Sequence, residues 1–196
     1  MKKALLICVF AVSLSGCASL MSSAASGLAD SISDSVLNQD DPETAKAALP
    51  TFMVLIDGFI KDNPEDPEIL ASGATLYASY GAIFADDEVR ASRLTTRARG
   101  YALKAMCVSY APACSWPDDT YDEFVASLEG IGPKQSETLY TYGFASLAFL
   151  RAHSSDWNSL AELPQITELF NHYMNISGDE VNGAVYTYMG ILLTLR

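Results

Sequence analysis

Positive charge is scarce in this chain. Twelve Lys and Arg stand against 24 Asp and Glu, a formal net charge of −12 at pH 7. Such an acidic chain has no basic footprint for counterion release, which excludes nucleic acid as a partner. Histidine is rarer still: only His153 and His172 occur, both in or beside expected surface turns. There is no G-x-S-x-G, no phosphate-cradling glycine loop and no H-E-x-x-H, so no nucleophile and base can be named and an enzyme is not expected. Acid pairs such as Asp118/Asp119 stand at helix starts, where capping explains them. Long apolar runs are missing too. Beyond residue 29 the longest uncharged run, residues 69–85 (ILASGATLYASYGAIFA), has 17 residues rich in Ala, Ser, Gly and Thr. That is the lower limit for a membrane span, and its composition fits a buried helix better. No strand-like alternation is present, so the fold is read as all-α.

What is present begins with an address. Lys2 and Lys3 precede a short apolar stretch, residues 4–14, and then Leu14-Ser15-Gly16-Cys17 forms a lipobox. Residues 1–16 read as a cleaved lipoprotein signal, and Cys17 as the acylated new N-terminus. Several acyl chains on one cysteine anchor stably, since each buried CH₂ contributes about 0.8 kcal/mol. Losing Lys2 and Lys3 takes the net charge from −12 to −14. Ala18 and Ser19 follow the cysteine, without an Asp at the second position. By resemblance to bacterial lipoprotein sorting, that points to the outer membrane facing the periplasm. Residues 17–40 are rich in Ser, Ala and Gly and read as a lipidated tether. Residues 41–196 are the folded domain, long enough for a core.

Helix signals then recur. Asp41-Pro42-Glu43 and Asp66-Pro67-Glu68 each place an N-cap, a first-turn proline and a first-turn acid in order. Pro50 is read as restarting the chain, with Phe52, Met53, Leu55, Ile56, Phe59 and Ile60 at helical spacing on one stripe beyond it. Asp86-Asp87-Glu88 starts the most charged helix, to about Ser109. Trp116-Pro117-Asp118-Asp119 opens the next, Trp157 is expected to pack as a lid, and Ser177-Gly178-Asp179-Glu180 caps the last. Residues 138–150 and 181–195 share the uncharged character of 69–85. The three segments hold six of the ten tyrosines: Tyr77, Tyr80, Tyr140, Tyr142, Tyr186 and Tyr188. They are candidates to line a ligand passage. The plainer alternative is core, with hydroxyls bonded to Ser and Thr neighbours.

Two features remain. Cys107 and Cys114 would be ~10.5 Å apart by rise on a continuous helix, but Tyr110-Ala111-Pro112-Ala113 interrupts it. An oxidising compartment favours a disulfide there, with two buried free thiols as the alternative; no Cys or His lies at metal-ligand spacing nearby. Arg90, Arg93, Arg97 and Lys104 share one face within about 60° of a helical wheel. They form an anion- or partner-binding stripe, or a solvated outer face paired with Asp86, Asp87 and other acids.

Alternating uncharged and charged helices suggest stacked, degenerate tetratricopeptide-like hairpins lining a concave surface. Ala98 and Ala105 fall where the second helix of such a repeat wants small residues. Ala102 stands in place of the expected aromatic, and Tyr77 in place of the usual Gly. A wider resemblance joins the lipobox to Ala48-Leu49-Pro50-Thr51-Phe52, Leu55-Ile56-Asp57-Gly58 and the Asn63-Pro64 turn. It continues through Leu76-Tyr77-Ala78-Ser79-Tyr80, Asp86/Asp87, Arg93, Arg97-Ala98-Arg99, Tyr101-Ala102-Leu103-Lys104-Ala105 and the two later cysteines. In this order the chain resembles the T component (TatT) of tetratricopeptide-associated TRAP transporters. The resemblance implies a periplasm-facing helical lipoprotein that associates with the solute-binding P subunit of a TRAP transporter. It also implies a homotrimer with a passage for a hydrophobic or organic-acid ligand. No cofactor is expected. The chain stops at Leu193-Thr194-Leu195-Arg196 directly after an apolar helix, as a truncated or unusually short member would. The rival expectation is a general envelope scaffold that binds another protein through its repeats.

Overall fold

A computed structural model describes residues 38–195. The expected signal (residues 1–16), Cys17 and most of the expected tether lie outside the described residues. Residues 41–196 group as one compact unit. Among the described residues there are helices and turns and no strand, so the fold is all-α.

Helix α1 (Pro42–Asp62) starts at Asp41, whose carboxylate accepts from the Glu43 N–H at 3.2 Å. It does not restart at Pro50 but runs through it. Proline in a helix interior forfeits one hydrogen bond and costs ~3 kcal/mol. Burial of Ala45, Leu49, Met53, Ile56 and Ile60 on one stripe offsets that, at about 1.5–3 kcal/mol for each large side chain.

Helix α2 (Pro67–Ile83) is the uncharged stretch, capped by Asp66 through the Glu68 and Ile69 N–H groups. It is buried nearly all round, with Ile69, Leu70, Gly73, Ala74, Leu76, Tyr77, Ala78, Tyr80 and Gly81 inside. Helix α3 (Glu88–Ser109), capped by Asp87, folds back along it, forming the expected hairpin. Small residues permit the close approach: Ala98, Ala102 and Ala105 on α3 are fully buried. A Cβ at Gly81 would come within 3.0 Å of Thr95 Cγ2 and 3.1 Å of Leu94 Cβ.

After α3 a 3₁₀ turn (Ala111–Ser115) reverses the chain. Cys107 and Cys114 are disulfide-bonded across this reversal, their Cα atoms 4.7 Å apart. Helix α4 (Tyr121–Leu128) begins later than the Trp116–Asp119 signal suggested, because Thr120 and Glu123 form a capping box. Trp116 instead goes inside, its indole N–H donating to Ser127 Oγ at 2.8 Å.

Helix α5 (Ser136–Ala152) packs on both α2 and α3, making these three the centre of the unit. α1 covers α2, and α7 (Leu163–Ser177) covers α5 after the short α6 (Trp157–Leu160). Trp157 is 83% exposed, so it is not a lid. It follows the Asp156 N-cap, whose carboxylate accepts from the Asn158 N–H, and presents its ring to solvent. Helix α8 (Ala184–Thr194) packs on α7 and α5. Residues Gly178–Glu180 form their own 3₁₀ turn, so the last helix starts later than residue 181.

Candidate functional site

The basic stripe and the first tyrosine meet at one carboxylate. Asp57, in the C-terminal third of α1, accepts from the Tyr77 hydroxyl at 2.7 Å and the Tyr101 hydroxyl at 2.7 Å. Arg97 Nη1 donates to the same carboxylate at 2.9 Å and to the Tyr77 oxygen at 3.0 Å. The two rings meet edge to face, with centroids 5.8 Å apart. Three helices are thus tied at one charge. Each such bond to an ionised group contributes about 1.5–3 kcal/mol when shielded, less where water reaches it.

Beside this cluster an open groove of about 690 Å³ runs along α3. Asp57, Arg97 and Tyr101 form one part of it, and Arg93, Thr96, Gly100 and Lys104 the rest. Of the four stripe residues, Arg93, Arg97 and Lys104 therefore share this groove. Arg90 does not. Its guanidinium lies 5.0 Å from the Tyr80 ring centroid and donates to the Tyr80 hydroxyl at 3.3 Å. Of the acids expected to neutralise the stripe, Asp86 pairs with Lys46 at 2.8 Å and Asp87 caps α3, while another acid, Asp57, does pair with Arg97. Arg93 and Lys104 have no ion partner among the described residues.

The six tyrosines fall into separate settings. Tyr77 and Tyr80 are buried on α2, serving Asp57 and Arg90 respectively. Tyr142 is buried against the Trp116 ring at 4.9 Å. Tyr140 and Tyr188 come together at the α5–α7–α8 junction, hydroxyl to hydroxyl at 3.3 Å. The Tyr173 ring is 5.2 Å from that of Tyr140, and the Phe144 ring stacks at 5.3 Å on Tyr188. Tyr186, two residues away on α8, is 66% exposed.

Burial pushes the Tyr77, Tyr101 and Tyr140 hydroxyls above the ordinary tyrosine range. Hydrogen bonds to Asp57 add to this for the first two, and the one to Tyr188 for the third. The folded state therefore holds these protons where the unfolded chain, near pH 10, releases them. Stability is fully present below about pH 10 and falls as the pH rises toward the folded values. In an alkaline titration followed at 295 nm, these tyrosines are expected to ionise only as the helical signal is lost. Complete ionisation of all ten with the fold intact would contradict these settings.

Sequence reasoning missed three arrangements. Arg99 forms an ion pair with Glu162, with Nη1 3.1 Å from Oε1, and lies 4.7 Å from the Phe149 centroid. His172 lies within α7, not in a turn, with Nε2 2.9 Å from the Ile131 carbonyl. Ser92 Oγ lies 2.7 Å from His153 Nε2, while Nδ1 faces the Phe149 carbonyl at 2.8 Å. In the neutral ring Nδ1 must carry the proton toward that carbonyl, so Nε2 accepts from the serine. A serine and histidine at this distance are the geometry of a nucleophile and its base. Ser92, however, stands inside α3, whose neighbouring N–H groups belong to the helix ladder and leave no donor pair for an oxyanion. The pair latches α3 to the C-terminus of α5. No group of His, Cys, Asp and Glu among the described residues is arranged to hold a metal. No helix among them is long and apolar enough to cross a membrane.

The described residues thus form an all-α unit with a charged groove along α3 and an aromatic junction where α5, α7 and α8 meet. The model of the family described as TRAP transporter T-component matches residues 38–196. The chain belongs to that family. No curated protein and no solved structure matches it. The family supports an accessory role in TRAP transport and a place in the cell envelope.

Proposed function

We propose that this T component is a lipid-anchored, periplasm-facing accessory without catalytic function, which docks the solute-binding subunit of its TRAP transporter. The family match over residues 38–196 carries this reading. The lipobox at Leu14–Cys17 supports the anchor, and the LSGC order followed by Ala18 and Ser19 supports the outer membrane. A homotrimer belongs to the same proposal, as does passage of a hydrophobic or organic-acid ligand. For the passage, Tyr140 and Tyr188 are the residues the aromatic junction favours. Tyr77 and Tyr80 have their hydroxyls committed to Asp57 and Arg90.

Co-purification tests the docking role, and one substitution tests the anchor. The full chain, expressed with the solute-binding subunit, is expected to retain it on isolation and to partition with membranes. Cys17→Ala is expected to abolish labelling by a fatty-acid analogue and release the chain to the soluble fraction, with helicity unchanged. Retention of assembly proteins in place of the solute-binding subunit would favour the general scaffold. Native mass spectrometry of the same sample reads trimer mass and any bound apolar molecule; a bare monomer would remove both the trimer and the passage.

A further inference from the structure

We propose that the groove along α3 is the docking site for an acidic segment of the solute-binding subunit, an inference that rests on the docking role above. Arg93, Arg97 and Lys104 lie within about 40° on the helical wheel and are separated by ~6 Å and ~10.5 Å of helix rise. They form a straight row of three positive charges about 16 Å long by the same rise. A small anion is held by donors that converge on a few ångströms, whereas these are strung out along one axis. An extended acidic segment presents its carboxylates at comparable intervals.

Three observations set this row apart from an ordinary solvated face. The chain carries a net −12, yet two of the row's three cations, Arg93 and Lys104, have no ion partner among the described residues, and Arg97 alone is paired, with Asp57. The nearby acids that could quench it are occupied, Asp86 by Lys46 and Asp87 by the helix cap. And Arg97 is held in place before any partner arrives. Its Nη1 is fixed by Asp57 and the Tyr77 hydroxyl, and its remaining N–H groups have no partner among the described residues. Preorganising a guanidinium in this way removes part of the ordering cost of binding. Gly100 adds access: a Cβ there would meet nothing within 4 Å, and with no side chain it leaves the floor open between Arg97 and Lys104.

Binding of the purified solute-binding subunit to the full acylated chain in detergent tests this directly. The double variant R93E/K104E changes two exposed residues that have no ion partner among the described residues, so the fold is expected to stay intact. Lys134→Glu, exposed and outside the groove, makes a control of the same sign. The expected result has wild-type affinity falling as salt rises, since exposed charges are screened beyond ~8–10 Å. R93E/K104E is expected to bind about tenfold more weakly or worse, mostly through a slower on-rate, with K134E within about twofold of wild type. If wild type and R93E/K104E bind alike, the groove is not the docking site, while the docking role stands. If the subunit binds neither, role and groove fall together. Citrate is titrated alone in parallel. Stoichiometric citrate binding that R93E/K104E abolishes, with subunit binding unmoved, would make the groove a small-anion site and overturn the proposal.

Discussion

Replacing Arg99 by alanine is expected to lower the unfolding free energy by about 2–4 kcal/mol. Breaking a buried ion pair by removing one partner costs about 3–5 kcal/mol because the other charge is stranded. Here the side chains of Arg99 and Glu162 are 19% and 29% exposed, so water recovers part of the loss. Burial works against the Arg99 charge, and Tyr142 and Glu162 more than offset it, which leaves the guanidinium above its ordinary value. The ring of Phe149 adds a cation–π contact worth roughly 0.5–2 kcal/mol. For a chain of this size each kcal/mol shifts the thermal midpoint by about 2–4 °C, so a fall of about 5–15 °C is expected. The loss would fall on the join between α3 and the entry to α7, since Glu162 immediately precedes that helix. Arg99→Lys keeps the charge but not the fork, and should fall between the two. The double variant R99M/E162L strands no charge and should recover most of the stability. A change below about 0.5 kcal/mol in R99A would mean that the pair contributes nothing measurable, as many exposed pairs do.

The contrast between Arg99 and the helix caps shows what a sequence reveals about such a chain. Asp41, Asp66 and Asp87 were legible as N-caps because a cap is local: its donors lie two or three residues on. The α2–α3 hairpin was legible because its small residues recur at helical spacing. Pro50 misled because its cost is local while its compensation is the buried stripe of α1. Trp157, expected to pack, faces solvent while Trp116 lies inside, since nothing within a few residues says which ring meets a neighbour. The row of Arg93, Arg97 and Lys104 followed from periodicity alone. Its partner Asp57 did not, because Asp57 lies 44 residues before Tyr101 and 40 before Arg97. Glu162 is 63 residues from Arg99. Pairs at those separations exist only after the chain has packed.

Asp57 provides the sharper test, because stability and binding should move in opposite directions. Asp57→Ala removes the acceptor of the Tyr77 and Tyr101 hydroxyls and of Arg97 Nη1 at once. Bonds to a charged group contribute about 1.5–3 kcal/mol each, but they share one carboxylate and are not additive. The Asp57 side chain is 31% exposed, so water can replace part of what is lost. A total cost of about 2–3 kcal/mol follows in denaturant unfolding. Tyr77→Phe and Tyr101→Phe should cost about 1 kcal/mol each by the same reasoning, and less in the Asp57→Ala background, because the interaction is already gone. Asp57→Asn keeps one acceptor oxygen and should fall between. In the alkaline titration Tyr101 should ionise at lower pH in Asp57→Ala, since the carboxylate that helps hold its proton is absent. The groove should behave otherwise. Losing Asp57 frees Arg97 at an ordering cost of roughly 0.5–1.5 kcal/mol. It also removes the acid that lines the groove among the described residues and pairs with the row's middle charge. The second effect is expected to win, so an acidic partner should bind more tightly even as the fold weakens. A purely structural cluster would lose stability and binding together, or leave binding unmoved. A measured rise in affinity at lower stability separates the two roles of this residue, clamp for three helices and brake on the charge of the groove.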